Sequence, residues 1–437
     1  MLIDSDRFDR KKFLFASLAT LGLPYIFSTD NGLFAKEEEG ENAEDINVDP
    51  KIKSVVFINM EGGMSHVDTL DPKANSVFST VSSSISNIQV LEPFVKTAAQ
   101  LKHIGIIRST WSEDGDHGFG QYLLNTGYRS TEGMGFPDIP HIGSVIAFAK
   151  RKKVQKTYFP SYVTMGGRSG RIGNSGFLGI PYAGFHIGNL DQPVNHLNPS
   201  YGKFKEERLV RRKDMLNFLN EEFGKTNQSS QIKLWAKMVH AAEEFRNSDE
   251  LSSFDLKKES EANQMRYGKS WQGKACLLAK RLVERETPFI QITIGGWDTH
   301  GNNKAQIAKI MSETDAGLAA LIEDLAVSGL LNQTIFFLSS EFGRTPDVGS
   351  RDGRDHYPKV WTSLLGGGNL PRGFVLGESD KKGESPLKGS NAYHLRDLIA
   401  TLYLASGVDA EASLTNSFGR PFLLVSKQAK PLDELMK

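Results

Sequence analysis

The chain has very little cysteine and no excess of either charge. Cys276 is the single cysteine, which excludes an internal disulfide, and its helical-looking segment makes it most simply a small apolar residue of the core. Lysine plus arginine equals aspartate plus glutamate at 52 each, so the formal net charge is zero. Without a basic excess, nucleic acid is not an expected partner. The 437 residues and 42 glycines instead predict a loop-rich globular protein with a substantial core.

The first 35 residues differ in composition from the rest of the chain. The basic residues 10–12 precede an apolar stretch, 13–27, which Pro24 interrupts and which is short for a membrane span. Such a pattern, followed by the small residue Ala35, is typical of an export signal. Residues 10–14 resemble a twin-arginine signal, with Lys11 in place of the second arginine. We therefore expect the export machinery to carry the chain to the periplasm or the cell surface, with an uncleaved membrane anchor as the alternative.

Beyond an acidic linker at 36–50, apolar runs alternate with helical patterns over residues 51–430. Apolar stripes at helical spacing are clearest at 307–325 and 394–404, and a helical insertion is expected around 200–285. The strand-like runs are 54–59, 103–108, 161–165, 289–294, 333–338 and 360–365. Strands that alternate with helices predict an α/β sandwich around a mostly parallel sheet.

Four of the strand-like regions lead into a glycine that is accompanied by a carboxylate or a histidine. Because the carboxyl ends of parallel strands open onto one edge of a sheet, we expect these side chains to share one crevice. The four motifs are Glu61-Gly62-Gly63 with His66 and Asp68, Asp116-His117-Gly118, Gly295-Gly296-Trp297-Asp298-Thr299-His300, and Glu341-Phe342-Gly343-Arg344. A fifth motif, residues 353–358, contains Arg354, Asp355 and His356 and precedes a strand.

Carboxylates and imidazoles gathered at one edge predict a divalent metal site. Zinc is the first candidate, with manganese, iron or calcium as alternatives. Two such ions about 4 Å apart can clamp the oxygens of a phosphoryl group. Arg344 or Arg354 could bind an anionic substrate oxygen in bidentate fashion, and His117 could be a nucleophile or a ligand. The candidate metal ligands are Glu61, Asp116, Asp298, His300, Glu341, Asp355 and His356.

Each motif also has a purely structural interpretation. The segment 298–300 could cap a helix, and Asp116 could form the hydrogen bond of a turn. Glu341 could pair with Arg344, and residues 355–356 could belong to a well-bonded loop. No single spacing decides between these interpretations, but the joint placement of the motifs at strand ends favours a functional site.

Several motifs resemble those of the domain of unknown function 1501 family over about residues 50–425. They are GGMSHVDTLDPK (62–73), DGDHGFGQYLLNTG (114–127), GGWDTHGNN (295–303), SSEFGRTP (339–346) and GRDHYP (353–358). The family is similar to alkaline phosphatases and sulfatases. This similarity implies an exported protein with a three-layer α/β/α fold, alkaline phosphatase-like, and a site for two metal ions.

The resemblance also implies particular roles. Glu61 falls at the carboxylate that follows the first strand, Asp298 and His300 at an Asp/His pair, and His356 at the last histidine. Glu341 keeps a carboxylate where the superfamily has an Asp-His pair, but Phe342 stands in place of the histidine.

The position of the sulfatase nucleophile departs from the superfamily pattern. A helix that ends at Gly127 begins with Asp116-His117 and has no Ser, Thr or Cys there.

Two functions are therefore in contention. The first is an exported metal-dependent hydrolase of phosphate or sulfate esters, with small molecules or sulfated or phosphorylated glycans as substrates. A coordinated water of lowered pKa could replace the missing hydroxyl. The second is a non-catalytic exported protein that keeps the fold and binds a ligand or a protein partner at the cell surface. The missing nucleophile and Phe342 favour the second function, and the remaining ligand set favours the first.

Overall fold

The computed structural model describes residues 46, 48–130, 139–154, 159–167, 174–194, 207–208, 210–212, 214–216, 218, 230–416 and 418–436. The predicted export signal and most of the predicted linker lie outside these residues. Within the described part of the chain, no helix is both long enough and apolar enough to cross a membrane.

Short strands and helices alternate along the described chain. The strands are β1 (Ser54–Asn59), β2 (Thr80–Ser82), β3 (Gln89–Leu91), β4 (Gly105–Trp111), β5 (Tyr162–Gly166), β6 (Phe185–Ile187), β7 (Phe289–Thr293), β8 (Thr334–Ser339), β9 (Gly343–Arg344), β10 (His356–Tyr357), β11 (Trp361–Gly367), β12 (Val375–Leu376), β13 (Tyr393–His394), β14 (Ser413–Thr415) and β15 (Pro421–Leu423). The α-helices are α1 (Val95–Ala98), α2 (His117–Thr126), α3 (Ile142–Val154), α4 (Ser230–Arg246), α5 (Glu261–Tyr267), α6 (Trp271–Glu284), α7 (Asn303–Val327) and α8 (Leu395–Ala405).

A nine-stranded sheet lies at the centre of the described residues. Its strand order is β12-β4-β11-β8-β1-β7-β5-β6, and β13 pairs with β4 beside this path. The middle strand β1 is parallel to both neighbours, with Val55 opposite Phe289 on one side and Ile335 on the other. Only β11 among these strands runs against its neighbours, β4 and β8. The predicted mostly parallel α/β sheet is confirmed.

Helices cover both faces of this sheet because its strands are apolar on both sides. In β1, Val56 and Ile58 belong to one buried cluster, while Val55 and Phe57 belong to another. The first cluster includes side chains of α6 and α7, among them the fully buried Cys276. The second includes side chains of α2, α3 and α8. The fold is therefore a three-layer α/β/α sandwich.

The five motifs meet at one edge of the sheet. The strands β1, β4, β7 and β8 run in the same direction, so the segments that follow them emerge together. The antiparallel β11 begins at that edge, and residues 353–358 precede it. The backbones approach closely here: a Cβ on Gly62, whose φ is +118°, would lie 2.4 Å from the amide nitrogen of Asp298. The segments that were expected to share one crevice thus emerge at the same edge of the sheet.

Candidate metal centre

Three imidazole nitrogens converge on one oxygen of Asp298. The Nε2 atoms of His300, His356 and His117 lie 3.1, 3.2 and 3.4 Å from Asp298 Oδ1. The Nε2 atoms of His300 and His356 are also 3.1 Å apart. His117, Asp298 and His356 each offer a ligand atom within 4.8 Å of the others, so they form a group that could hold a metal ion.

The opposite nitrogen of each ring binds an acceptor, which fixes the ring. These bonds join His117 Nδ1 to Glu341 Oε1 at 2.8 Å, His300 Nδ1 to Asp355 Oδ1 at 2.8 Å, and His356 Nδ1 to Gly115 O at 2.7 Å. Because carbonyl and carboxylate oxygens only accept, each Nδ1 is assigned the proton, and in the neutral form of each ring the Nε2 lone pair is directed towards Asp298. Lone pairs that face one another at these distances repel unless a proton or a metal ion lies between them. The donor set therefore fits a divalent ion.

His117 reaches this point because it is the first residue of α2. Asp116 is the N-cap of that helix and accepts a 3.1 Å hydrogen bond from the Phe119 amide. Gly120 allows the helix to pack on Glu341, since a Cβ at that position would lie 3.0 Å from the Glu341 Cβ. His117 Nε2 has no hydrogen-bond partner among the described residues, which is expected of a nitrogen that serves as a metal ligand. Asp116 itself points its carboxylate at its own helix.

Glu341 is fully buried behind His117. Its Oε1 accepts from the Gly62 amide at 2.9 Å as well as from His117, and its Oε2 accepts from Ser340 Oγ at 3.0 Å. The hydrogen bond to Glu341 raises the pKa of His117. The segment that follows β8 thus orients the imidazole of His117 from the protein interior.

Arg344 approaches Asp298 from the buried side. Its side chain is fully buried and donates to the carbonyls of Gly62, Gly63 and Arg354 as well as to Asp298 Oδ1. Burial opposes ionisation of Asp298, but the bond to Arg344 outweighs it and lowers the pKa of Asp298 to about 2. Asp298 is therefore a carboxylate at neutral pH, which is the form that binds a cation.

One sequence family accounts for most of the chain. The pattern described as "Protein of unknown function (DUF1501)" matches residues 52–436. The chain belongs to the DUF1501 family. No curated protein matches it in sequence.

Solved structures with a similar fold share little sequence with this DUF1501 chain. The PsFucS1 sulfatase from Pseudoalteromonas sp. is 14% identical with a TM-score of 0.41, covering 82% of this chain and 68% of its own. A protein of the alkaline phosphatase superfamily from Vibrio parahaemolyticus is 12% identical with a TM-score of 0.38, covering 95% and 78%. The phosphonate monoester hydrolase SpPMH from Silicibacter pomeroyi is 11% identical with a TM-score of 0.37, covering 81% and 73%. The family membership rests on the match of residues 52–436.

In this DUF1501 chain, Arg354 is a buried structural residue. Its Nε and Nη2 bind the two oxygens of Asp68 at 2.7 and 2.9 Å. The remaining donors reach the carbonyls of Thr345 at 2.9 Å, Asn75 at 3.0 Å and Pro346. All five N–H groups thus have acceptors, and the geometry gives no support to the expectation that Arg354 binds a substrate oxygen.

Asp68 is the partner that sequence reasoning missed. The hydrogen bonds between Asp68 and Arg354 join residues 286 positions apart, and no spacing in the sequence signals them. The sequence placed Asp68 only in the motif that follows β1, among the carboxylates expected at the rim. It also accepts from Asn303 Nδ2 at 2.7 Å, so it ties the start of α7 to the loop that carries His356.

The remaining predicted ligands lie around the centre rather than in it. Asp355 is 78% exposed and contacts the centre through His300. Glu61 follows β1 on the same rim, where its Oε2 is 3.5 Å from the position of a Cβ on Gly295. Of the predicted set, Asp298, His300 and His356 converge together with His117.

Proposed function

We propose that the chain is an exported metal-dependent hydrolase of phosphate or sulfate esters. The observation that carries the proposal is the convergence of three Nε2 atoms on Asp298 Oδ1. For His300, His356 and Asp298 the ligand atoms are 3.1 to 3.2 Å apart. Atoms that are each about 2.1 Å from one common ion have separations of roughly this size. The imidazole content favours zinc, iron or manganese over calcium, which prefers oxygen ligands.

The chain's own residues would hold such an ion and keep its outer side open. Glu341, Asp355 and the Gly115 carbonyl orient the three rings, and Arg344 orients Asp298. When bound, a divalent ion supplies Lewis-acid chemistry and lowers the pKa of a coordinated water towards about 7, which would provide the nucleophile that α2 lacks.

Large substrates are compatible with the exposure of the ligands. The side chains of Asp298, His300 and His117 are 47%, 39% and 37% exposed. An ester group at the end or on the side of a glycan could therefore reach the rim without entering a deep cavity. Together with the export signal expected in residues 1–35, this supports sulfated or phosphorylated glycans, beside small-molecule esters, as the substrates to test.

The test combines metal analysis with a substrate panel. The protein purified without chelators is expected to contain at least one equivalent of a transition metal. It is also expected to hydrolyse 4-nitrophenyl phosphate, 4-nitrophenyl sulfate or an ester of a phosphorylated or sulfated oligosaccharide. Asp298→Ala should lower the rate by roughly a hundredfold or more, because it removes a ligand as well as the partner of Arg344. Asp352→Asn, an exposed carboxylate in the loop before His356, is the matched control and should leave the rate unchanged.

The outcomes separate the two functions. Less than half an equivalent of metal, with no change in thermal stability on chelation, rejects the metal-dependent hydrolase. Bound metal without turnover across the whole panel supports the non-catalytic exported protein that binds a ligand or partner. Appearance of the chain in the periplasmic or surface fraction, lost when residues 1–35 are deleted, tests the export part of the proposal.

A further inference from the structure

The resemblance implies two metal ions, but one of the carboxylates that a second ion would use is already occupied. That carboxylate is Glu341, which follows β8. It accepts hydrogen bonds from the Gly62 amide at 2.9 Å, His117 Nδ1 at 2.8 Å and Ser340 Oγ at 3.0 Å. A carboxylate has about four lone-pair directions, and the two on Oε1 already face hydrogens that would point at an incoming cation; Ser340 has one hydroxyl proton, which Oε2 shares with the Met60 carbonyl at 2.6 Å.

The neighbouring ligand position is filled by an aromatic ring. Phe342 stands where the resemblance places a histidine, and its side chain is fully buried. The ring lies 5.0 Å from that of His117 and 4.6 Å from that of His356, measured between centroids. On its other side, the Phe342 Cε2 atom is 2.8 Å from the position of a Cβ on Gly63. The ring offers no lone pair and occupies the space that a ligand and its ion would share.

A permanent positive charge already lies against this position. Arg344 is fully buried, donates to Asp298 Oδ1, and its guanidinium carbon lies 5.9 Å from the Phe342 ring centroid. Its donors to Gly62, Gly63 and Arg354 carbonyls hold it in place. Because guanidinium does not lose its proton in proteins, it repels a second cation at every accessible pH.

We propose that the centre holds one divalent ion, bound by His117, Asp298, His300 and His356, and that Arg344 supplies the fixed positive charge in place of a second ion. This inference rests on the proposed metal-dependent function. Arg344 is then a positioning residue: it orients and neutralises Asp298 from the buried side and does not touch the substrate. A two-metal site holds two exchangeable ions, whereas this site would hold one exchangeable ion and the guanidinium of Arg344, which is part of the chain.

The first experiment counts ions in the full-length protein. The chain is saturated with zinc, freed of excess metal by gel filtration and analysed by elemental mass spectrometry, and the ion is located by anomalous scattering. One equivalent is expected, and it should be lost in Asp298→Ala. Two equivalents that both depend on Asp298 overturn the single-ion centre, whereas no bound equivalent overturns the proposed function itself.

A second experiment tests Arg344 with a matched pair of double variants. Phe342→His combined with Arg344→Gln adds an imidazole beside Glu341 and removes the positive charge, so the count should rise from one to two. Phe342→His combined with Arg344→Lys adds the same imidazole but keeps a positive charge, so the count should stay at one. Equal counts in the two double variants overturn the role of Arg344. If either variant fails to fold, the wild-type count still decides the number of ions.

Discussion

The acceptors behind the imidazoles differ sharply in their surroundings, although they make similar bonds. Glu341 is fully buried and also holds the Gly62 amide, whereas Asp355 is largely exposed. Water can replace a lost acceptor at an exposed site but not at a buried one. The two histidines that these carboxylates hold, His117 and His300, should therefore respond differently when the acceptor is changed.

Glu341→Gln should weaken zinc binding by about 10- to 100-fold, which is the usual effect of changing the partner of a metal-binding histidine. The carboxamide oxygen could still accept from the Gly62 amide and from His117 Nδ1, but it lacks the negative charge that strengthens the bond to His117 and makes the imidazole a better ligand. Asp355→Asn is the matched variant and should weaken zinc binding by less than about tenfold, because Asp355 is exposed and water can replace the lost acceptor. Isothermal titration of the metal-free proteins with zinc measures both, and equal losses would contradict the importance of burial.

Gly62→Ala should lower the free energy of unfolding by about 3 kcal/mol, from backbone strain and overlap together. Gly62 has a φ of +118°, and an added Cβ would lie 2.4 Å from the Asp298 amide nitrogen. Gly349→Ala is the control, because its Cβ would be 3.7 Å from the nearest atom and its φ of −88° suits alanine. Urea denaturation of the three proteins gives the comparison; a Gly62→Ala protein as stable as the control contradicts the close approach of the two loops.

Residue types at the site could be predicted from the sequence, but their partners could not. Asp298, His300 and His356 follow or precede apolar runs, and that pattern was enough to place them on one rim. Arg354 carries the same pattern and is instead fully bonded to Asp68 and to carbonyls. Which donors remain free depends on tertiary contacts between distant segments, and no local spacing encodes these contacts.

At the scale of elements, a buried polar group joins the helices behind the site to the sheet. His141 lies just before α3, accepts from the Gly143 amide through Nδ1 at 2.9 Å and donates through Nε2 to Asn125 Oδ1 of α2 at 2.8 Å. Its ring stacks on Tyr162 of β5. Burial lowers the pKa of His141 to about 3. The neutral ring is therefore part of the packing of α2, the helix that carries His117.

This histidine should make the fold less stable in mild acid. Its pKa is about 3 in the fold against an ordinary value of 6.5, so its contribution to stability is present above pH 6.5 and is lost as the pH falls. Between pH 7 and pH 5 the loss should be about 2 kcal/mol. His141→Gln should be less stable at pH 7 but should lack this part of the pH dependence. Urea denaturation at both pH values tests it, and identical slopes in the two proteins contradict the assignment.

The positions of the strands could be predicted from the sequence more fully than their directions in the sheet. The apolar runs at 54–59 and 289–294 became β1 and β7 with nearly the same bounds, because a strand buried on both faces is apolar throughout. The run at 360–365 became β11, but nothing in its composition distinguishes an antiparallel strand from a parallel one. The antiparallel pairing of β11 with β4 and β8 shows that the residues before β11, rather than those after it, lie at the rim.

At the scale of the whole molecule, the centre joins distant parts of the chain. His117 follows β4, Asp298 follows β7 and His356 precedes β11. An ion bound to all three stabilises the folded state and not the unfolded one. At a free zinc concentration 100 times the dissociation constant, the gain should be about 2.7 kcal/mol.

Chelation should therefore lower the unfolding temperature of the wild-type protein, and added zinc should restore it. Asp298→Ala should show neither effect, because it lacks the carboxylate that binds the ion together with the histidines. Thermal denaturation followed by circular dichroism measures the shift. A shift of the same size in Asp298→Ala would place the stabilising ion elsewhere.

The central strand β1 also sets the order in which the chain can be built. Its parallel partners β7 and β8 follow it by roughly 230 to 280 residues. At a synthesis rate of about 5 to 20 residues per second, β1 waits on the order of 10 to 60 seconds with both edges unpaired. Nascent chains should therefore recruit chaperones early, and their apolar β1 should be protected from proteases only after β8 leaves the ribosome.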